Sequence, residues 1–178
     1  NLPPVLAVTA PAKTNLTPVT ITGTVDDHLT AVQVNGQPAA RSGLTFAVAV
    51  PLTIGNNALT VVATSPNGLG TTQTATIVRG TPPAIASVAP GQGSKLYANA
   101  LAVISIAASD QEQDPVQYQV RLDGVVWADW DGATSYTWQP AMNQAGAHTI
   151  EIRARDGFGG DAVAQRQVFV LRKPVAPQ

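Results

Sequence analysis

Hydrophobic and polar residues alternate one for one along much of this chain. Val19 and Ile21 alternate with Thr20, Thr22 and Thr24, and Leu44, Phe46, Val48 and Val50 alternate with Thr45, Ala47 and Ala49. Leu59, Val61 and Ala63 alternate with Thr60, Val62 and Thr64, and Ala75 and Ile77 follow among threonines. A period of two predicts strands with one buried and one wet face, as in antiparallel sheets packed on each other. Threonine suits the wet face, because β-branched side chains fit a pleated surface. Val32 and Val34 run into Asn35-Gly36, a strong hairpin signal. Further on, Val116, Tyr118, Val120 and Leu122 alternate with Gln117, Gln119 and Arg121 before a turn at Asp123-Gly124. Tyr136 and Trp138 share one parity, as do Ile150, Ile152 and Ala154 opposite Thr149, Glu151, Arg153 and Arg155. Residues 101–108 are apolar on both parities and predict a strand without naming its buried face. No stripe of period 3.6 survives more than two turns, so no helix is expected.

The two halves repeat one scheme. The strand at 59–63 leads through Asn67-Gly68-Leu69-Gly70 to a last strand ending at Arg79. The strand at 150–154 leads through Asp156-Gly157-Phe158-Gly159 to one ending near Arg172. About seven short strands per half, with a turn signal every 8–12 residues, is the pattern of an immunoglobulin-like sandwich. The expected fold is therefore all-β: two tandem immunoglobulin-like antiparallel β-sandwiches. Composition places the boundary. Up to residue 80 there is one aromatic residue, Phe46, and two acids, Asp26 and Asp27; beyond it lie all three Trp, all three Tyr and nine acids. At the change, Pro82-Pro83 disfavours helix and sheet ladders alike. The expected organisation is a first sandwich at 1–80, a Pro-rich hinge at 81–84, a second sandwich at 85–172 and a linker at 173–178. Asn1 in place of Met, and the Pro-containing tail, read as a segment cut from a longer chain with neighbouring domains.

Charge narrows the chemistry. Ten basic and eleven acidic residues leave a net charge of −1, which gives no electrostatic footprint for nucleic acid or an anionic membrane. Membrane insertion is not expected, since the longest apolar run is far shorter than a spanning helix. The chain has no cysteine, which excludes disulfides, zinc ribbons and thiol catalysis. His28 and His148 stand far apart, no nucleophile elbow is present, and Asp26-Asp27-His28 reads as a solvated triplet. An enzyme is not expected.

Two resemblances add to this reading. The first half carries Pro18-Val19-Thr20-Ile21-Thr22-Gly23-Thr24-Val25, Val32-Gln33-Val34-Asn35-Gly36 and residues 55–64, and resembles bacterial immunoglobulin-like modules of the glucodextranase B-domain type. Members commonly carry an acid after the Ala-Thr pair, where this chain has Ser65-Pro66. The second half carries Ala108-Ser109-Asp110, Asp114-Pro115-Val116, Gly146-Ala147-His148-Thr149-Ile150 and residues 153–159. It resembles PKD-like, cadherin-like and fibronectin-like surface modules, with Glu112-Gln113-Asp114 in place of the usual acid–Gly–acid centre. Both resemblances imply a spacer or adhesion module of a secreted or cell-surface bacterial protein.

Two sets of residues are candidates for binding. Asp110, Glu112 and Asp114 lie on one interstrand connection, and Asp156 and Asp161 flank the last hairpin. In an immunoglobulin-like sandwich those loops emerge at one end, and clustered carboxylates can supply the hard oxygens that calcium requires. The competing reading is ordinary turn chemistry, in which Asp precedes Gly or Pro. Trp127, Trp130 and Phe158 are the candidate ligand contacts, for a polysaccharide or a protein partner. Opposite parity would send Trp127 and Trp130 to opposite faces of a regular strand, while Tyr136 and Trp138 fit a core. The expected function is a non-catalytic spacer or interaction segment, with a carbohydrate- or calcium-binding accessory module as the alternative.

Overall fold

The alternation is realised as seventeen strands in the computed structural model, which describes residues 2–172. The linker expected at 173–178 lies outside the described residues. The chain divides into two compact units, Asn1–Gly80 and Thr81–Gln178, each with its own apolar core.

In the first unit a four-stranded sheet runs β1 (Leu6–Thr9), β3 (Val19–Val25), β7 (Thr45–Val50), β6 (Ala40–Ser42). A five-stranded sheet runs β2 (Lys13–Thr14), β9 (Gly70–Arg79), β8 (Gly55–Thr64), β4 (Ala31–Val34), β5 (Gln37–Pro38). Ile21, Phe46, Leu59, Val61 and Ile77 form the centre of the core between them. Each such side chain contributes about 1.5–3 kcal/mol by leaving water. Val34 pairs with Gln37 across Asn35 and Gly36, whose φ angles of 48° and 79° are those of a tight two-residue hairpin. Leu44 departs from the alternation: it sits in the turn before β7, 48% exposed.

In the second unit a three-stranded sheet runs β10 (Ala84–Ala89), β12 (Ala102–Ser109), β15 (Ser135–Trp138). A five-stranded sheet runs β11 (Lys95–Tyr97), β17 (Ala162–Leu171), β16 (Gly146–Arg155), β13 (Gln117–Leu122), β14 (Val125–Asp131). The ambiguous run becomes β12, with Ala102, Ile104 and Ile106 turned inward. Trp138 is buried with Val120, Ile150, Ile152 and Val168. Among the described residues there is no α-helix, and a single 3-10 turn spans Met142–Gln144.

Pairing is antiparallel except at one place in each unit. β2 runs parallel to β9, with Lys13 opposite Val78, and β11 runs parallel to β17, with Lys95 opposite Phe169. In both units the chain leaves one sheet and joins the other, past Pro11 between β1 and β2 and past Pro90 between β10 and β11. A proline has no N–H to give to the ladder it leaves. The opening segment thereby reaches the final strand of its own unit.

Candidate functional site

The acidic end of the second unit is built from two loops. The connection from β12 to β13 carries Asp110, Glu112 and Asp114, and the loop from β16 to β17 carries Asp156 and Asp161. Asp110 organises its own loop, one carboxylate oxygen accepting the N–H of Glu112 at 2.9 Å and of Asp114 at 3.1 Å. Asp156 accepts the N–H of Phe158 at 2.9 Å in the same manner. These turns bring one oxygen each of Asp110, Asp114 and Asp156 within 4.8 Å of one another, all three residues half-buried. The second oxygen of Asp110 is enclosed, and no protein group donates to it.

The other two acids are not in this cluster. Glu112 accepts the Thr81 N–H at 3.1 Å and the Thr81 hydroxyl at 2.9 Å, and Asp161 pairs with Arg153 at 2.8 Å.

The aromatic candidates each have a local setting of their own. The β14 strand does not pair regularly: Leu122 faces Val125 and Arg121 faces Val126, but Val120 faces Ala128 and Tyr118 faces Asp131. Two extra residues are accommodated as bulges, Trp127 being one of them. Trp127 meets the edge of Tyr136 at a centroid distance of 6.3 Å, against the sandwich, and remains 40% exposed. Trp130 lies under the Arg155 guanidinium at 4.0 Å, and Arg155 also donates to the Gln117 amide oxygen. Phe158 sits half-buried in the loop of Asp156.

Residues 4–80 match the family model for glucodextranase domain B, and residues 83–152 match that for a bacterial Ig domain. The chain is a tandem of bacterial immunoglobulin-like domains. Among solved structures, the fibronectin(III)-like modules of Clostridium thermocellum CbhA are similar, with a TM-score of 0.56 at 17% identity over 94% of this chain and 95% of that one. An I-band fragment of titin matches with a TM-score of 0.48 at 13% identity, over 97% of this chain and 67% of that one. A search of curated proteins by sequence finds no match. Likeness at these identities is one of fold. Domains of these kinds are typically extracellular accessory modules and typically non-catalytic. Among the described residues no helix is long and apolar enough to cross a membrane.

One polar group of the second immunoglobulin-like domain escaped the sequence reading. His148, at the start of β16, has its side chain only 13% exposed, with Nδ1 2.6 Å from the Asp123 carboxylate and Nε2 2.6 Å from the Gln144 carbonyl oxygen. Two acceptors at the two ring nitrogens call for two N–H donors, which is the imidazolium. The ring also stands edge-on to buried Trp138 at 5.5 Å. Burial opposes its charge, but the hydrogen bond to Asp123 and the Gln144 carbonyl outweigh it and raise the His148 pKa. Asp123 is held below the usual carboxylate range in turn. Its burial works against this, and the Thr149 N–H at 2.8 Å and the His148 ring prevail. The only trace in the sequence is a turn acid and a strand-start histidine, and nothing in their spacing announces that they meet.

Proposed function

We propose that this tandem is a non-catalytic spacer and interaction segment of an exported bacterial protein, a series of two folded modules that carries load between neighbouring domains. The observation that carries this reading is the parallel closure of each domain. Val78 N–H donates to the Ala12 carbonyl at 2.9 Å and Gly80 N–H to the Thr14 carbonyl at 3.0 Å. In the second domain Phe169 N–H donates to Ser94 at 2.9 Å and Ala98 N–H to Leu171 at 2.8 Å. Tension enters a domain through its opening segment and leaves through its last strand. Because β2 and β11 run parallel to the last strands β9 and β17, it loads the bonds of these pairs together in shear instead of opening them one at a time. Single-molecule stretching of the full chain is the test. Two discrete steps are expected, each releasing roughly 30 nm of chain, with the force of one step reduced in Val78→Pro. A featureless extension overturns the reading.

A second reading, calcium binding at the second domain, is supported by the approach of Asp110, Asp114 and Asp156 and by the enclosed, undonated oxygen of Asp110. Calcium takes six to eight oxygens, and loop carbonyls and water would complete what three carboxylates begin. At a hundredfold excess over Kd, a bound ion stabilises a fold by about 2.7 kcal/mol. Calcium is therefore expected to raise the Tm of the second domain, and Asp110→Asn to abolish the rise. An unchanged Tm in millimolar calcium removes this reading.

A further inference from the structure

A concavity of about 470 Å³ opens beside the first half of β14, away from the acidic loops. Its apolar lining is Leu122, Val125, Val126, Trp127 and Trp138, of which Val125, Val126 and Trp127 are 70%, 44% and 40% exposed. Its polar side is Asp123, Gln139 and Gln144. Each of these three planar groups is held by hydrogen bonds, the two amides at one end and the carboxylate at both oxygens. The Gln139 amide donates to the Asn99 carbonyl at 3.0 Å, and the Gln144 amide oxygen accepts the Ala141 N–H at 2.8 Å. Asp123 is fixed by His148 and by the Thr149 N–H. What remains unused is an amide oxygen on Gln139, an amide NH₂ on Gln144 and further lone pairs on the Asp123 carboxylate. A fixed acceptor, a fixed donor and a carboxylate thus line the same concavity as an exposed indole.

Such a groove suits a ligand with an apolar face and a rim of hydroxyls. A sugar ring has both, its C–H face lying on an aromatic surface while vicinal hydroxyls donate to and accept from planar side chains. An extended peptide is disfavoured. It would need to continue the β14 ladder, and the bulges interrupt that ladder. Among the described residues the ionisable side chain lining the groove is the Asp123 carboxylate, and the His148 imidazolium behind it is 13% exposed and already paired, which disfavours anionic ligands.

We propose that this groove binds an uncharged oligosaccharide, with Trp127 as the stacking surface and Asp123, Gln139 and Gln144 as the hydroxyl partners. The site requires neither load bearing nor calcium, so it stands or falls separately from both readings above.

The test is a tryptophan-fluorescence and calorimetric titration of the full chain with cellohexaose, xylohexaose, laminarihexaose, maltohexaose and, as the anionic probe, hexagalacturonate. At least one neutral hexasaccharide is expected to bind. Trp127→Ala should weaken it roughly tenfold or more, the equivalent of about 1.4 kcal/mol. Gln144→Ala keeps the indole and should weaken it as well, so the outcome does not hang on one variant that could disturb folding. Trp130→Ala should leave binding unchanged, because Trp130 is held under Arg155 instead of lining the groove. The proposal is overturned if no neutral probe binds at millimolar concentration or if only hexagalacturonate binds. It is equally overturned if folded Trp127→Ala and Gln144→Ala bind as the parent does.

Discussion

A methyl group placed on Gly23 would lie 2.1 Å from the Ala7 carbonyl oxygen and 2.5 Å from two carbons of the Phe46 ring. Neither neighbour is free to yield: one is backbone in the paired strand β1, and the other is 2% exposed in the core. Gly23→Ala is expected to destabilise the first domain by about 1–3 kcal/mol, the usual cost of overpacking. A denaturant midpoint equal to the parent's would show that Phe46 does not cover this position. The same domain shows how little a charge count reveals about individual residues. Arg41 donates to the Thr30 carbonyl, to Gly43 at 2.8 Å and to Asp27 at 3.3 Å, and Arg79 donates to the Leu52 carbonyl at 3.0 Å. In a domain with three basic residues, two are carbonyl staples. Composition recorded them only as charge, because backbone acceptors leave no mark on a sequence.

At the scale of elements, the His148 contact joins three pieces: the β13–β14 turn through Asp123, the 3-10 turn through Gln144, and β16 itself. Its pH dependence has two limbs. His148 has a raised folded pKa, so its contribution is complete below the unfolded value of about 6.5 and disappears as pH rises through the folded value. Asp123 has a lowered folded pKa, so its contribution is complete above the unfolded value of about 3.9 and disappears as pH falls through the folded one. The Tm of the second domain is expected to be highest between these limits. His148→Gln should flatten the alkaline limb, and a parent Tm that does not fall from pH 6 to pH 9 would contradict the imidazolium. This element also marks where periodicity stops being informative. Alternation placed the inward residues of β3, β8 and β16 because those strands pair with their neighbours without slippage, whereas in β13, which borders the bulges, Gln119 is buried against the alternation. It could not place Trp127 and Trp130, because parity assumes a regular ladder and β14 has two bulges. Loop positions behaved the same way. The approach of Asp110, Asp114 and Asp156 follows from loops emerging at one end of a sandwich. Glu112 and Asp161 have partners, Thr81 and Arg153, that no local pattern identifies.

For the whole molecule, the all-β class and the tandem immunoglobulin-like architecture were legible in the alternation and its turn signals, since a period of two over several strands has few other realisations. The parallel pairs were not. β2 has two residues and β11 has three, too short for any period to register, and what defines them is a partner near the other end of the domain. That partnership bears on how the chain acquires its structure. Lys13 waits for Val78, and Lys95 for Phe169, so neither domain can close until nearly all of its own chain is available. Contacts so remote in sequence carry the largest loop-closure cost. Where the chain is released from its N-terminal end, the first core is expected to gain its last strand before the second has one, which limits pairing between the strands of the two domains.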